Sequence, residues 1–283
     1  MNILKFIESF TDDNFLNSKG SRRDSFTQFK TLGANAAIAA VPFGLASIAL
    51  APQRSNAASM AAAETPVQAL QLALTLEYLE EEFYLTAMST GGLIPAADRP
   101  IFQQILNHES DHVDFLQQNL GADSIAKPTF DFTGAKSASG GGPFSPFTNY
   151  DTFLALAQAF EDTGVRAYKG QAGNLMSKPD LLEAALQIHS VEAMHASRVR
   201  RLRASLGLAN GQKGWIRENS RGTLPPQTQP VYDGEENVMQ GGVNTSTISI
   251  DGFNSNLVSA SESFDEPIDT ATAKTIAGLF IVG

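Results

Sequence analysis

The chain has no cysteine. That absence removes disulfides, cysteine-ligated zinc, iron–sulfur clusters, rubredoxin-type iron, thiol nucleophiles and lipidated cysteine. Basic residues are also scarce: 20 Lys and Arg stand against 30 Asp and Glu, a formal net charge of −10. A deficit of that sign argues against a nucleic-acid partner and suits a protein that attracts cations. Apolar residues fill 42% of the 283 positions, enough for a core in one large domain or two small ones.

Proline and glycine are missing from a 26-residue run, Leu181 to Leu206, that is rich in Ala, Leu, Glu and Arg. Such a composition predicts a helix. Within it Glu192 and His195 stand three apart and so share a face. A carboxylate and an imidazole held side by side make half of a carboxylate-bridged metal site. The rest of the chain must supply the other half.

The beginning of the chain reads as an address. Met1 to Phe15 has the pattern of a short amphipathic helix. Ser21-Arg22-Arg23-Asp24-Ser25-Phe26 then precedes a largely apolar run, Leu32 to Ala51, interrupted by Asn35 and Pro42. Paired arginines before a weakly hydrophobic stretch predict an export signal. The segment resembles a twin-arginine signal, although Phe26 falls one place late and the Leu-Lys of that pattern is missing. Ala49-Leu50-Ala51 and Ser55-Asn56-Ala57 are both possible cleavage sites. A retained helix is the alternative, as a packed arm or as a membrane anchor, since about 20 residues suffice to cross a bilayer.

Thr65-Pro66 predicts a helix start, and apolar residues keep helical spacing to Met88 before Gly91-Gly92 and Pro95. This helix carries Glu77, then Glu80, Glu81 and Glu82, then Tyr84. Glu77 and Tyr84, almost two turns apart, share a face; Glu80 or Glu81 could also turn inward. An acidic run of this kind is ordinarily a solvated face. The next helix is expected to be capped by Asp98, with Pro100 just inside, and to stop at Gly121. It carries Glu109 and His112, again three apart. Residues from Lys127 to Asn149 lack helical pattern and hold Phe130, Phe132, Phe144 and Phe147. They predict a long crossover clamped onto the side of a bundle. A third helix, expected to be capped by Asp151, carries Glu161 and Tyr168, and Lys178-Pro179-Asp180 turns the chain into the run described above.

The register ties these helices together. Glu77 to Glu161 and Tyr84 to Tyr168 are both 84 residues; Glu109 to Glu192 and His112 to His195 are both 83. A merely charged helix face predicts no such repeat. Two helical hairpins of one design recur, each with the same ligand pattern.

At these residues the chain resembles the ferritin-like di-iron carboxylate superfamily, closest to bacterial ferritin-like domain proteins. The resemblance implies an all-α, ferritin-like four-helix bundle over residues 64–206, with a long crossover between its second and third helices. It implies Glu77 and Glu161 as terminal carboxylates, Glu109 and Glu192 as bridges, and His112 and His195 as terminal imidazoles. Tyr84 and Tyr168 match the aromatic position after the lone Glu and are the candidate catalytic residues beside the metals. Four carboxylates and two imidazoles suit two iron ions, with manganese possible; zinc usually takes fewer ligands. His108 and His189 read as polar contacts or helix-face residues, Asp111 or Asp114 as partners that orient an imidazole. Arg198, Arg200, Arg201 and Arg203 read as a cluster that stabilises a helix C-terminus.

Residues 1–63 are thus expected to be an export or packing segment and residues 207–283 an extended C-terminal arm. The arm is expected to hold a short strand at Thr247–Ile250 and a fifth helix from Thr270 to Val282. The expected protein is exported, periplasmic or membrane-associated through residues 32–51. It would be a homo-oligomer or a complex with a paralogous ferritin-like protein. Its activity would be oxidation of Fe(II) by O2 or peroxide, or peroxide removal in stress defence. Two rivals stand beside it: a manganese catalase-type enzyme, and a structural or partner-binding protein whose metal site only stabilises. A cage-forming iron store is a third, which the large C-terminal extension disfavours.

Overall fold

A computed structural model describes residues 64–136, 142–250 and 253–282; the readings on residues 1–63 lie outside them. Four long helices dominate: α1 (Pro66–Ser89), α2 (Arg99–Leu120), α3 (Tyr150–Gln171) and α4 (Pro179–Ser205). Among the described residues, no helix is long and apolar enough to cross a membrane. Local chemistry sets the helix ends. Thr65 accepts from Gln68 N at 3.2 Å while Gln68 Oε1 accepts from Thr65 N at 2.9 Å, a reciprocal cap ahead of Pro66. Arg99 donates to Met88 O at 3.0 Å and closes the other end of α1. Gly121 ends α2 with φ +54°, in the left-handed region that favours glycine.

Two caps differ from expectation. Asn149, not Asp151, caps α3, accepting from Thr152 N at 2.8 Å, because the helix begins two residues earlier than its apolar pattern. Asp98 makes no cap hydrogen bond to α2. Its carboxylate instead accepts from Tyr150 Oη at 2.8 Å and ties the start of α3 to the start of α2.

α1 packs along α2 and α3 along α4, and α1 also crosses α3. Two apolar layers fill the bundle. One is aromatic: Phe83 stacks on Phe153 and meets Phe160 edge-on, with Tyr84 and Phe102 beside them. The other, toward the opposite end, holds Leu70, Leu74, Leu116, Leu175 and Ile188. The ligand-type residues named above lie between these layers.

The crossover behaves as its phenylalanines require. Phe132 and Phe144 are buried and Phe130 and Phe147 pack against the aromatic layer; burying such a side chain contributes about 1.5–3 kcal/mol. Lys127 pins the crossover's beginning to α1 through Glu82 at 2.7 Å and Glu81 at 3.2 Å.

The C-terminal arm carries hairpins β1 (Met239–Gln240)–β2 (Val243–Asn244) and β3 (Ser249–Ile250)–β4 (Phe253–Asn254), then α5 (Leu257–Ser261) and α6 (Thr270–Ala277). The final helix is shorter than expected: after Gly278 the chain bends so that Ile281 bridges Phe130 and Phe280 enters the aromatic layer. α6 packs on α3 and α1.

The arm is held by buried cations, and this corrects the reading of the arginine cluster. Arg198 and Arg201 are exposed. Arg200 pairs with Asp162 through Nε at 2.9 Å and a second nitrogen at 2.5 Å, and Tyr232 donates to the same carboxylate at 2.7 Å. Arg203 reaches Gln158 and, at 3.1 Å, Thr223. Arg166, 1% exposed, pairs with Glu235 at 2.7 Å and donates to the carbonyls of Val231, Asp233 and Glu266. The repeat explains why the buried polar anchors of the arm lie on the second hairpin: the first has Tyr78, Glu82, Gln117 and Leu120 where the second has Asp162, Arg166, Arg200 and Arg203.

Candidate metal centre

Each helix contributes ligand-type residues at the same depth in the bundle. α1 brings Glu77, α3 brings Glu161, α2 brings Glu109 and His112, and α4 brings Glu192 and His195. All six are buried; the four carboxylates are 0% exposed. The structure brings together all six residues that the spacing singled out.

Their atoms form two groups. In one, His112 Nδ1 lies 3.2 Å from Glu77 Oε2, 3.1 Å from Glu109 Oε2 and 3.4 Å from Glu192 Oε1. In the other, His195 Nδ1 lies 3.0 Å from Glu109 Oε1 and 3.2 Å from Glu161 Oε2. Glu109 thus offers one oxygen to each group, the geometry of a bridging carboxylate. The resemblance has Glu192 bridging too; it joins the first group only, and its Oε2 leans toward Gly164, where an added Cβ would stand 2.6 Å away.

Protons alone do not account for this arrangement. Although His195 Nδ1 is close to two carboxylates, neither contact has hydrogen-bond alignment. Glu109 Oε1, Glu161 Oε2, both oxygens of Glu192 and His195 Nδ1 have no hydrogen-bond partner. Buried polar atoms are seldom left so, and Glu109 Oε1, Glu161 Oε2 and His195 Nδ1 lie together in one group, as donors to a cation would. Oxygen and imidazole donors without thiolate fit divalent first-row metals. Four carboxylates match the charge of two such ions.

The electrostatics agree. Burial raises Glu109 to about 7, with His112 and His195 opposing. Burial, then the charge of Glu109, holds Glu192 well above the usual carboxylate range. Burial pushes His195 down, but Glu161 and Glu109 outweigh it and raise it to about 11. His112 is raised in the same way by Glu109, Glu192 and Glu77. The buried carboxylates raise the proton affinity of the groups around them.

The tyrosines cross between the halves. Tyr84 donates to Glu161, and Tyr168 donates to Glu77 at 2.5 Å. Burial, then the charge of the carboxylate each one faces, keeps both phenols protonated. Each therefore serves as a fixed donor to the oxygen that its carboxylate turns away from the centre.

Spacing did not identify what orients the imidazoles. Asp111 and Asp114 are exposed and touch neither ring, because α2 turns them to solvent. His108 does this work for His195: its Nδ1 is 2.8 Å from His195 Nε2, and its own Nε2 meets the Gln104 amide at 2.5 Å. If His195 offers Nδ1 as a ligand, its Nε2–H donates to His108. The first-hairpin position paired with Val191 is His108, so the repeat gave no signal for it. His189 reaches only the carbonyl of Val165, at 2.9 Å.

A four-helix bundle with a long crossover encloses a duplicated carboxylate–imidazole cluster, and this architecture is that of the ferritin-like helical fold. Residues 65–205 match the family model of the ferritin-like domain, and the chain belongs to the ferritin-like superfamily through that domain. No curated protein matches the chain.

Proposed function

We propose that this chain is an exported ferritin-like protein with a dinuclear iron centre. It would oxidise Fe(II) with O2 or peroxide, or remove peroxide, in stress defence. The observation that carries this reading is the gathering of unpartnered Glu109 Oε1 and Glu161 Oε2 around His195 Nδ1, beside a second buried group of Glu77, Glu109, His112 and Glu192. Glu77, Glu109, His112 and Glu192 would hold one ion, and Glu109, Glu161 and His195 the other. When bound, such a pair supplies two adjacent one-electron centres, so that two Fe(II) give two electrons to O2 with two protons to form H2O2, or to peroxide to form two waters. The chain's own part is to position and to keep dry. The aromatic layer and the Leu74–Leu116–Ile188 layer exclude water on either side. Tyr84 and Tyr168 each donate a phenolic hydrogen bond to an outer carboxylate, and His108 would hold His195 in the ligating tautomer.

Metal analysis after expression with iron or manganese, followed by Fe(II)-oxidation and peroxide-decay assays, tests the reading. Iron retained at two per chain, with Fe(II) oxidation, is the expected result. Manganese with fast peroxide decay would replace it with the catalase-type reading. If Glu192→Ala abolished metal binding yet left peroxide tolerance of the cell intact, the site would be stabilising only. Export and anchoring rest on residues 21–57; comparing chains with and without the first 60 or so residues tests them. Sedimentation tests assembly as a homo-oligomer or with a paralogue.

A further inference from the structure

The segment that follows α4 folds back over that helix and leaves a cavity of about 180 Å3. Its charge is opposite to that of the chain. Arg200, Lys213, Arg217 and Arg221 line it, and among the described residues no Asp or Glu does. In a chain with 30 acidic and 20 basic residues, four cations and no carboxylate reverse the overall balance.

Much of this positive charge has no counter-charge. Asp162 pairs with Arg200, and Glu262 meets the half-exposed Arg217 at 3.4 Å. Lys213 is exposed and has no ion pair with any described residue. Arg221 donates to a carbonyl, that of Leu224, and pairs with no described carboxylate. Arg203 stands behind the wall, 3% exposed, and donates to two lining residues, Gln212 at 3.4 Å and Thr223 at 3.1 Å. No described carboxylate pairs with it, and its Nε has no hydrogen-bond partner. A buried guanidinium is rarely left so. Burial pushes Arg203 below its ordinary value, and the charge of Arg200 adds to that. A segment that served only to hold the arm would gain nothing from gathering unpaired like charges, which repel.

The remaining lining suits an anion with several oxygens. Ser220 accepts from Gly222 N at 3.2 Å and keeps its own proton to donate. An arginine fork matches the oxygens of a phosphate, and a lysine adds a point charge. Size separates small ligands from large ones: the cavity is smaller than the roughly 300–1,000 Å3 of sites that enclose drug-sized molecules. We infer that this cavity binds phosphate, as the free ion or as the phosphate group of a small ester, through Lys213, Arg221 and Ser220. None of these residues belongs to either group of metal-ligand atoms, so the inference is independent of the reading of the metal centre.

Trp215 provides the readout. It is the single tryptophan of the chain, it lines the cavity at 44% exposure, and its carbonyl accepts from Arg200 at 3.3 Å. The full chain is titrated at fixed ionic strength with inorganic phosphate, glycerol phosphate and acetate, followed by Trp215 fluorescence and by calorimetry. Wild type is expected to saturate with one phosphate per chain. Lys213→Ala is expected to weaken that binding about tenfold or more while its unfolding temperature without phosphate stays at the wild-type value. Should Lys213→Ala not fold, Lys213→Met, which keeps the apolar stem, is read in its place. Tighter binding of glycerol phosphate than of inorganic phosphate assigns the site to an ester, and otherwise to the free ion. A wild-type response that does not saturate, acetate binding as tightly as phosphate, or unchanged affinity in the Lys213 variant would each show diffuse attraction of counter-ions and overturn the inference.

Discussion

Tyr168 donates its phenolic hydroxyl to Glu77 Oε1 across 2.5 Å, although the two residues lie 91 positions apart. Tyr84 does the same for Glu161, so each tyrosine serves the carboxylate of the other hairpin. The exchange locks the two halves of the repeat together at the level of the ligands. Tyr168→Phe and Tyr84→Phe each leave a buried carboxylate oxygen without its donor. Each is expected to lower stability by about 1–3 kcal/mol and metal affinity by about 10–100-fold. Thermal unfolding and metal titration check the two effects. The double variant should cost less than the sum if the tyrosines act mainly by holding the halves together.

Two glycines on α3 separate the site from the arm. At Gly164 an added Cβ meets Glu192 Oε2 at 2.6 Å; at Gly170 it meets Ile268 O at 1.9 Å. Gly164→Ala should therefore displace Glu192 and weaken metal binding while the arm stays docked. Gly170→Ala cannot be relieved by a side-chain turn, because its clash is with backbone. It should lift the segment before α6, shown by faster proteolysis near Ile268, with metal stoichiometry unchanged. Equal loss of metal in both variants would refute this separation.

What was legible in the sequence was periodic. Glu-x-x-His spacing places two ligands on one face, and offsets of 83 and 84 residues repeat that face, so the bundle and its six central residues follow from local pattern. The rest depends on contacts that no period encodes. Glu80, Glu81 and Glu82 form one acidic run, and helix geometry alone leaves Glu80 and Glu81 almost equally near the Glu77 face. Lys127, from a loop 45 or more residues away, draws Glu81 and Glu82 outward. The arm offers no periodicity either. Asp162, Arg200 and Tyr232 come from three distant segments, and only their meeting shows that the arginines bury themselves instead of serving a helix end. Gly164 is a further case: its meaning lies in Glu192, 28 residues on.

The Asp162–Arg200 pair is buried on both sides, at 2% and 3% exposure. Removing one partner of such a pair leaves an uncompensated buried charge and costs about 3–5 kcal/mol. Arg200→Met is expected to lose that much and to free Tyr232 and the arm around it, read as a lower unfolding temperature and new proteolytic cuts near residue 232. Replacing Asp162 and Arg200 together with apolar residues should recover a large part of the loss. Because the pair is shielded from solvent, raising salt should change the wild-type value little.

The crowded carboxylates at the centre set metal loading against protonation. In metal-free protein Glu109 is raised to about 7 and His195 to about 11, so the folded state holds protons more tightly than the unfolded chain does. For His195 the associated stability is fully present below its unfolded value near 6.5 and is lost as pH rises toward 11. For Glu109 it declines as pH rises from its unfolded value near 4.5 through 7. Both signs agree: metal-free protein should lose stability as pH increases from 5 to 9. Divalent ions must displace these protons, so binding should release protons and tighten with rising pH. The unfolding temperature of loaded protein should therefore exceed that of metal-free protein by a margin that grows across the same range. Parallel melts at fixed ionic strength and fixed free metal measure the margin, and a margin that shrinks with pH would show that these groups do not hold the metal.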